Sequence, residues 1–263
     1  MNIPATFMLI TGASMGLGRE LAIQCAKRSM NLILVALPDH TLESFSQMIS
    51  EQYSVQVHFF ETDLTVKSSI YQLFDWIIKN KFEVFGLINN AGIGEEGRFN
   101  DCTTSSIDYM IKLNVRAPAV LTHLLEPLLR KNKKAYILNI ASMAAYCPIP
   151  YKTAYPASKV FIYNFSRCLC EEYIGTGIHV CVVTPGPMET NSKVTKSIVS
   201  KGYFARLSTV SPKKIAEISI KALLNGQKVV VPGFFNKFNL LLIRTLPPFI
   251  LNSVLGRYFR VKN

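Results

Sequence analysis

Tyr155 and Lys159 stand four residues apart in the stretch "YPASK", and on a helix that spacing puts both side chains on one face. A phenol titrates near ~10 and shuttles protons poorly at neutral pH unless a cation stabilises its phenolate. Lys159 supplies such a cation, so Tyr155 can give a proton to a carbonyl oxygen or take one from an alcohol. Ser142 follows an apolar run at 134–141, where its hydroxyl serves either to hydrogen-bond the same substrate oxygen or to shape a local turn. A second chemistry-bearing stretch is Thr11-Gly12-Ala13-Ser14-Met15-Gly16-Leu17-Gly18. Its glycines permit a sharp turn and close approach to a pyrophosphate, and the helix that follows offers free N–H groups and a positive dipole end. The rival reading is a tight structural turn.

These residues need a scaffold that sets them at strand ends. Apolar, β-branched runs at 6–11, 31–36, 55–60, 84–89, 134–141, 178–184 and 228–232 read as strands; 17–29, 40–53, 67–80, 104–130, 152–174 and 211–225 carry helical spacing. That alternation predicts an α/β chain: a single-domain Rossmann fold, a doubly wound parallel sheet of about seven strands with helices on both faces. "NLILVAL" and "IHVCVVT" are apolar throughout, as strands covered on both faces should be. Ligands of such sheets bind beyond the carboxyl ends of the strands, where Asp63, Asn89, Asn90, Ser142 and Pro185 all fall. Asn89 and Asn90 form an amide pair able to satisfy loose backbone groups of neighbouring loops.

Composition narrows the function classes. The 263 residues, 49% hydrophobic and 17% charged, describe a globular chain with a large core and no repeat or linker. The six cysteines lack CxxC spacing and mostly sit in apolar runs, as free thiols in a reducing compartment do. The four histidines make no metal-binding pattern, so no metal is expected. The apolar segment Phe7 to Ile10 runs straight into the glycine turn with no cleavage region, which predicts an intracellular, cytoplasmic protein. The net charge of +12 is uneven, with no Asp or Glu after Glu217. A basic tail suits anionic partners, but no nucleic-acid signature accompanies it, so no nucleic acid is expected.

The ordered set of motifs resembles the short-chain dehydrogenase/reductase family: TGxxxGxG at Thr11 to Gly18, Asp63-Leu64, NNAG at Asn89 to Gly92, Asn114, Ser142, YPASK at Tyr155 to Lys159, and PGPMET at Pro185 to Thr190. The resemblance covers about residues 6–232. It implies an NAD(P) cofactor and a catalytic tetrad of Asn114, Ser142, Tyr155 and Lys159, in which Asn114 holds a water that relays protons to Lys159. It also implies that Lys159 anchors the nicotinamide ribose while lowering the Tyr155 pKa. The implied cofactor contacts are Gly12, Ser14, Met15, Gly16, Leu17 and Gly18 at the pyrophosphate, with Asp63 and Leu64 at the adenine. Asn90, Ala91 and Gly92 follow near the ribose, and Pro185, Gly186, Met188 and Thr190 at the nicotinamide. Asp63 also reads as a helix cap, Asn114, a mediocre helix former, as the mark of a bend or as a surface asparagine, and the Pro185 turn as a rigid turn besides.

Two regions depart from the family. At the end of the second strand, Ala36-Leu37-Pro38-Asp39 offers neither the usual ribose-binding acid nor the usual phosphate-binding base, and Met15 is equally neutral, so the choice between NAD and NADP stays open. Asp39 reads as a ribose contact or as a helix cap. Residues 1–232 are expected to form the catalytic domain, with a substrate lid at about 190–210. Residues 233–263 form a basic apolar extension, too broken by Lys237, Arg244 and prolines for a spanning helix. The extension either lies on a membrane surface, covers the pocket or forms a subunit interface, a homodimer or homotetramer being expected. The reading that results is a carbonyl reductase or secondary-alcohol dehydrogenase for a hydrophobic, sterol-like or fatty-acyl-derived substrate. Its rival is a non-catalytic dinucleotide-binding sensor or membrane-associated scaffold.

Overall fold

Strands covered on both faces must sort their side chains into two apolar layers, and the chain does so residue by residue. In a computed structural model, which describes residues 5–38, 41–95, 97–188, 208–247, 249–251, 253 and 256, Met8 and Ile10 enter one core layer while Phe7 and Leu9 enter the other. The same alternation divides Leu32 and Leu34 from Ile33 and Val35. Complete burial of such a side chain contributes about 1.5–3 kcal/mol, so each strand is pinned from two sides.

The strands are β1 (Thr6–Thr11), β2 (Asn31–Ala36), β3 (Val57–Glu61), β4 (Glu83–Asn89), β5 (Ala135–Ile140), β6 (Ile178–Val183) and β7 (Val229–Val230). All pairings are parallel, in the order β3-β2-β1-β4-β5-β6-β7. This is the doubly wound sheet of seven strands that the sequence predicts. The order reverses between β1 and β4, which opens the crevice where such sheets receive ligands. Helices α1 (Gly16–Ala26), α2 (Thr41–Tyr53) and α7 (Pro212–Leu224) supply one layer. Helices α3 (Lys67–Lys79), α5 (Ala117–Leu129) and α6 (Ala154–Glu172) supply the other.

The stretch 104–130 is not the single helix its spacing predicts. It divides into α4 (Thr104–Ile111), a π-helical turn at Lys112–Arg116 and α5. The wider turn surrounds Asn114, whose side chain is bonded to the loop after β4 instead of lying at the surface. Helix α8 (Phe234–Thr245) follows β7: Asn236 and Leu240 face inward, while Phe234, Phe238 and Leu241 lie exposed. Among the described residues, no helix is long and apolar enough to cross a membrane.

Candidate active site

The glycine turn leaves β1 at Thr11 and enters α1 at Gly16. Gly12 and Gly16 hold φ values of 65° and 55°, a region that L side chains avoid. A Cβ on Gly18 would overlap the carbonyl oxygen of Gly12, so the first turn of α1 rests directly on the loop backbone. Met15, at the head of α1, makes no capping hydrogen bond with its side chain, leaving the first-turn N–H groups without that partner. Thr11 braces the turn from behind: its Oγ1 accepts the N–H groups of Asn90 and Ala91 at 3.0 and 3.1 Å. Asn90 Nδ2 donates in return to the carbonyls of Thr11 and Gly12 at 2.9 and 3.1 Å.

Only Asn90 serves the loop backbone in this way; the expectation for Asn89 is corrected. Consecutive strand residues point to opposite faces, so Asn89 turns inward and donates to Asn139 Oδ1 at 2.8 Å and Thr122 Oγ1 at 3.2 Å. Asn139 Nδ2 donates to Ser166 Oγ at 2.8 Å, completing a buried polar ladder from β4 through β5 to α6.

On the other side of the crevice, α6 carries Tyr155 and Lys159. Lys159 is buried, and its Nζ donates to the carbonyl of Ile140 at 2.9 Å. Burial lowers its pKa to about 8, and among the described residues no carboxylate pairs with it. Its Nζ lies 5.8 Å from the centre of the Tyr155 ring. The expected lowering of the Tyr155 pKa by this cation is not found: burial pushes the phenol up, and a hydrogen bond with Ser142 opposes that rise. An ammonium spent on a strand carbonyl at that distance does not outweigh the desolvation of the phenolate.

Ser142 does two things at once. Its Oγ accepts the N–H of Ala144 at 3.1 Å, forming the 3₁₀ turn Met143–Tyr146, and it hydrogen-bonds Tyr155. Asn114, 1% exposed, accepts from Ile93 N at 2.9 Å and donates to Ile93 O at 2.8 Å and Ser158 Oγ at 3.0 Å. A Cβ on Gly92 would lie 3.1 Å from Asn114 Oδ1 and 3.4 Å from Lys159 Nζ, so that glycine keeps Asn114 and Lys159 facing one space. A Cβ on Gly94 would meet the Tyr155 ring at 3.2 Å, a contact that the spacing of sequence motifs does not reveal.

Asp63 Oδ1 accepts the N–H of Thr65 at 2.8 Å in a turn ahead of α3, not as its cap: the helix begins at Lys67 with Val66 at the N-cap position, and Leu64 is buried beside the turn. In the turn after β6, Pro185 O accepts Met143 N at 2.9 Å and Pro187 O accepts Val210 N at 3.3 Å. Met188 packs against the core layer of α1 and α7. Ser14, half-buried, and Leu17, buried, belong to the glycine turn, while Met15 and Leu37 are exposed at its rim. Thr190, Asp39 and the expected lid up to residue 207 lie outside the described residues.

Tyr155 also lines a shallow depression open to solvent, with Phe99, Ile107, Met110 and Tyr151 on its apolar side and Glu95 and Lys152 among its polar residues. Gly97 N donates to Tyr151 O at 2.8 Å and ties the two walls together. The residues present fit a dinucleotide: glycine backbone and an uncapped helix start suit its phosphates, and Lys159, with three donors and one carbonyl partner, retains donors for ribose hydroxyls. Among the described residues, no group of His, Cys, Asp and Glu could hold a metal ion.

Comparison with known proteins agrees with this arrangement. The family described as short chain dehydrogenase matches residues 6–201. Hydroxysteroid dehydrogenase-like protein 1 of Gallus gallus is 31% identical over 198 residues, 74% of this chain and 60% of the relative. Very-long-chain 3-oxoacyl-CoA reductase of Anas platyrhynchos is 34% identical over 198 residues, 73% of this chain and 63% of the relative. The chain thus spans about three fifths of the length of these two relatives. Among solved structures, a short-chain dehydrogenase from Sphingobium yanoikuyae in complex with NADPH superposes with a TM-score of 0.77 at 23% identity, covering 99% of this chain and 97% of that one.

Proposed function

The chain belongs to the short-chain dehydrogenase family, and on that premise we propose that it interconverts a hydrophobic ketone and the corresponding secondary alcohol with NAD(P) as hydride carrier. The observation that carries this reading is the position of Tyr155, hydrogen-bonded to Ser142, beside buried Lys159 and in the lining of that depression. When bound, a nicotinamide dinucleotide supplies or accepts the hydride. The chain's own residues handle the proton. The Tyr155 hydroxyl donates to the carbonyl oxygen, and the Ser142 hydroxyl hydrogen-bonds the same oxygen as negative charge develops there. A phenol held above its ordinary pKa stays protonated at neutral pH, which suits donation in the reductive direction. The Lys159 ammonium offsets part of the desolvation of the phenolate left behind without bringing the phenol below its ordinary pKa, and Asn114 holds the water through which the proton is replaced.

For the cofactor, the Gly12 to Gly18 backbone, with Ser14, Met15, Gly16 and Leu17, takes the pyrophosphate. Asp63 and Leu64 take the adenine, Asn90 to Gly92 and Lys159 the ribose, and Pro185, Gly186, Met188 and Thr190 the nicotinamide. The apolar side of the lining, Phe99, Ile107, Met110 and Tyr151, favours a sterol-like or fatty-acyl-derived substrate, a class also suggested by the names of the two sequence relatives. The test is a screen of ketones of graded chain length with NADH and NADPH, followed by Tyr155→Phe. Turnover retained by that variant overturns the assignment.

A peripheral membrane location belongs to the same reading. Phe234, Phe238 and Leu241 form an exposed apolar face on α8, with Lys237 and Arg244 on the same helix and no acid after Glu217. Buried thiols at Cys25, Cys170 and Cys181 suit the cytoplasm. Cosedimentation with phosphatidylglycerol vesicles, lost on Phe238→Glu/Leu241→Glu, is the expected result; light scattering decides between homodimer and homotetramer.

A further inference from the structure

Asn236 lies on the inner face of α8, outside every motif of the family pattern, and is 2% exposed. Its Nδ2 donates to Pro232 O at 2.8 Å, at the end of β7, and to Ser208 O at 3.1 Å, at the approach to α7. Its amide occupies the space beside Gly186: a Cβ there would overlap Oδ1 and stand 2.7 Å from both Cγ and Nδ2. Three chain segments therefore meet on one side chain. The φ of Gly186 is not in the left-handed region, so conformation does not demand glycine at this position; the packed amide does.

The surroundings strengthen the junction. Asn239 Nδ2 donates to Ser208 Oγ at 3.1 Å, and Gly233, at φ 93°, starts α8 where a Cβ would lie 2.7 Å from Val210 Cγ2. Val210 N in turn donates to Pro187 O. Further along α8, the Arg244 guanidinium sits 5.6 Å from the centre of the Tyr146 ring, at the end of the turn that Ser142 begins.

We infer that Asn236 is a positioning residue that holds the Pro185–Pro187 turn in place by filling the notch at Gly186, making α8 a working part of the cofactor site. The inference rests on the reading of that turn as the nicotinamide side of the site. Prolines flank Gly186 and contribute no N–H, so packing and the two proline carbonyls fix the turn from within the protein. A displacement of about 1 Å at a reacting centre is enough to cost about 100-fold in rate.

The test uses the full chain and fluorescence titration with NADPH and NADH, at a temperature where thermal melts show each variant folded. Asn236→Ala is expected to weaken binding of the preferred nucleotide about 10-fold. Gly186→Ala, which crowds the same contact from the turn side, should do likewise. The double variant should bind more tightly than Gly186→Ala alone, because the methyl enters the space the amide vacates. Unchanged affinity in Asn236→Ala, with only a lower melting temperature, overturns the inference, as do independent, additive losses in the double variant or failure of both single variants to fold. If the wild type binds neither nucleotide, the cofactor-site reading falls and takes this inference with it. Binding by the wild type with no response to Asn236→Ala removes the inference alone.

Discussion

The ammonium of Lys159 donates to the carbonyl of Ile140 at 2.9 Å in a buried setting that lowers its pKa to about 8. The interval between that value and 10.5 corresponds to a native-state cost of about 3 kcal/mol for the charged form. The hydrogen bond to Ile140 offsets about 1 kcal/mol of this. Lys159→Met should therefore abolish turnover and yet raise the melting temperature of the ligand-free chain at pH 7. The native lysine gives up its proton near pH 8 while the unfolded one keeps it to about 10.5, so the unfolded state binds more protons across that window. Wild-type stability should rise there, closing the gap to the variant. Melting curves from pH 6 to 10 check this; a wild type more stable than the variant at pH 7 would show the cation to be well paid by its surroundings.

Tyr155→Phe removes the proton donor while leaving the ring over Gly94. Steady-state reduction of a confirmed ketone should fall by about 10²–10⁴, with cofactor affinity measured by fluorescence unchanged.

Ser142 holds the Tyr155 pKa down against burial. In Ser142→Ala the phenol should rise further, so the alkaline limb of the reduction rate moves to higher pH while the plateau drops by about 10². A pH–rate profile in both proteins reads the direction; a limb that moves to lower pH contradicts the assignment.

Leu37 is exposed just beyond β2, and no acid stands at Ala36 to bind ribose hydroxyls. Leu37→Arg places a cation where a 2′-phosphate can meet it without disturbing the core. The ratio of NADPH to NADH affinity should increase about 10-fold, and that increase should shrink in high salt.

Gly18→Ala forces a methyl into the carbonyl of Gly12. Backbone cannot yield as a side chain tip does, so a loss of about 3 kcal/mol in chemical denaturation is expected, together with weaker nucleotide binding.

The sheet was legible because its strands are uninterrupted apolar runs: β1 and β2 coincide with 6–11 and 31–36. The glycine turn and the Tyr155–Lys159 pair were legible because their spacing is local. A bend at Asn114 was legible only as one alternative, since the hydrogen bonds that hold it there go to Ile93, twenty-one residues away. Asn236 escaped for the same reason: Ser208 is twenty-eight residues away and Gly186 farther still. The direction of the Tyr155 pKa is not legible in the sequence, because spacing places a cation near a phenol but does not weigh that cation against desolvation.

The ladder of Asn89, Asn139 and Ser166 has a consequence for assembly. Asn89 and Asn139 are direct neighbours in the β4–β5 pairing, and each strand is otherwise apolar enough to tolerate several alignments. Sliding β5 by one residue would turn Asn139 into the opposite layer, where its amide loses both Asn89 and Ser166, while Asn89 keeps only Thr122, at about 1–3 kcal/mol for each group left unpaired. These side chains thus act as a vernier mark that favours one alignment of the sheet over the off-by-one alternative.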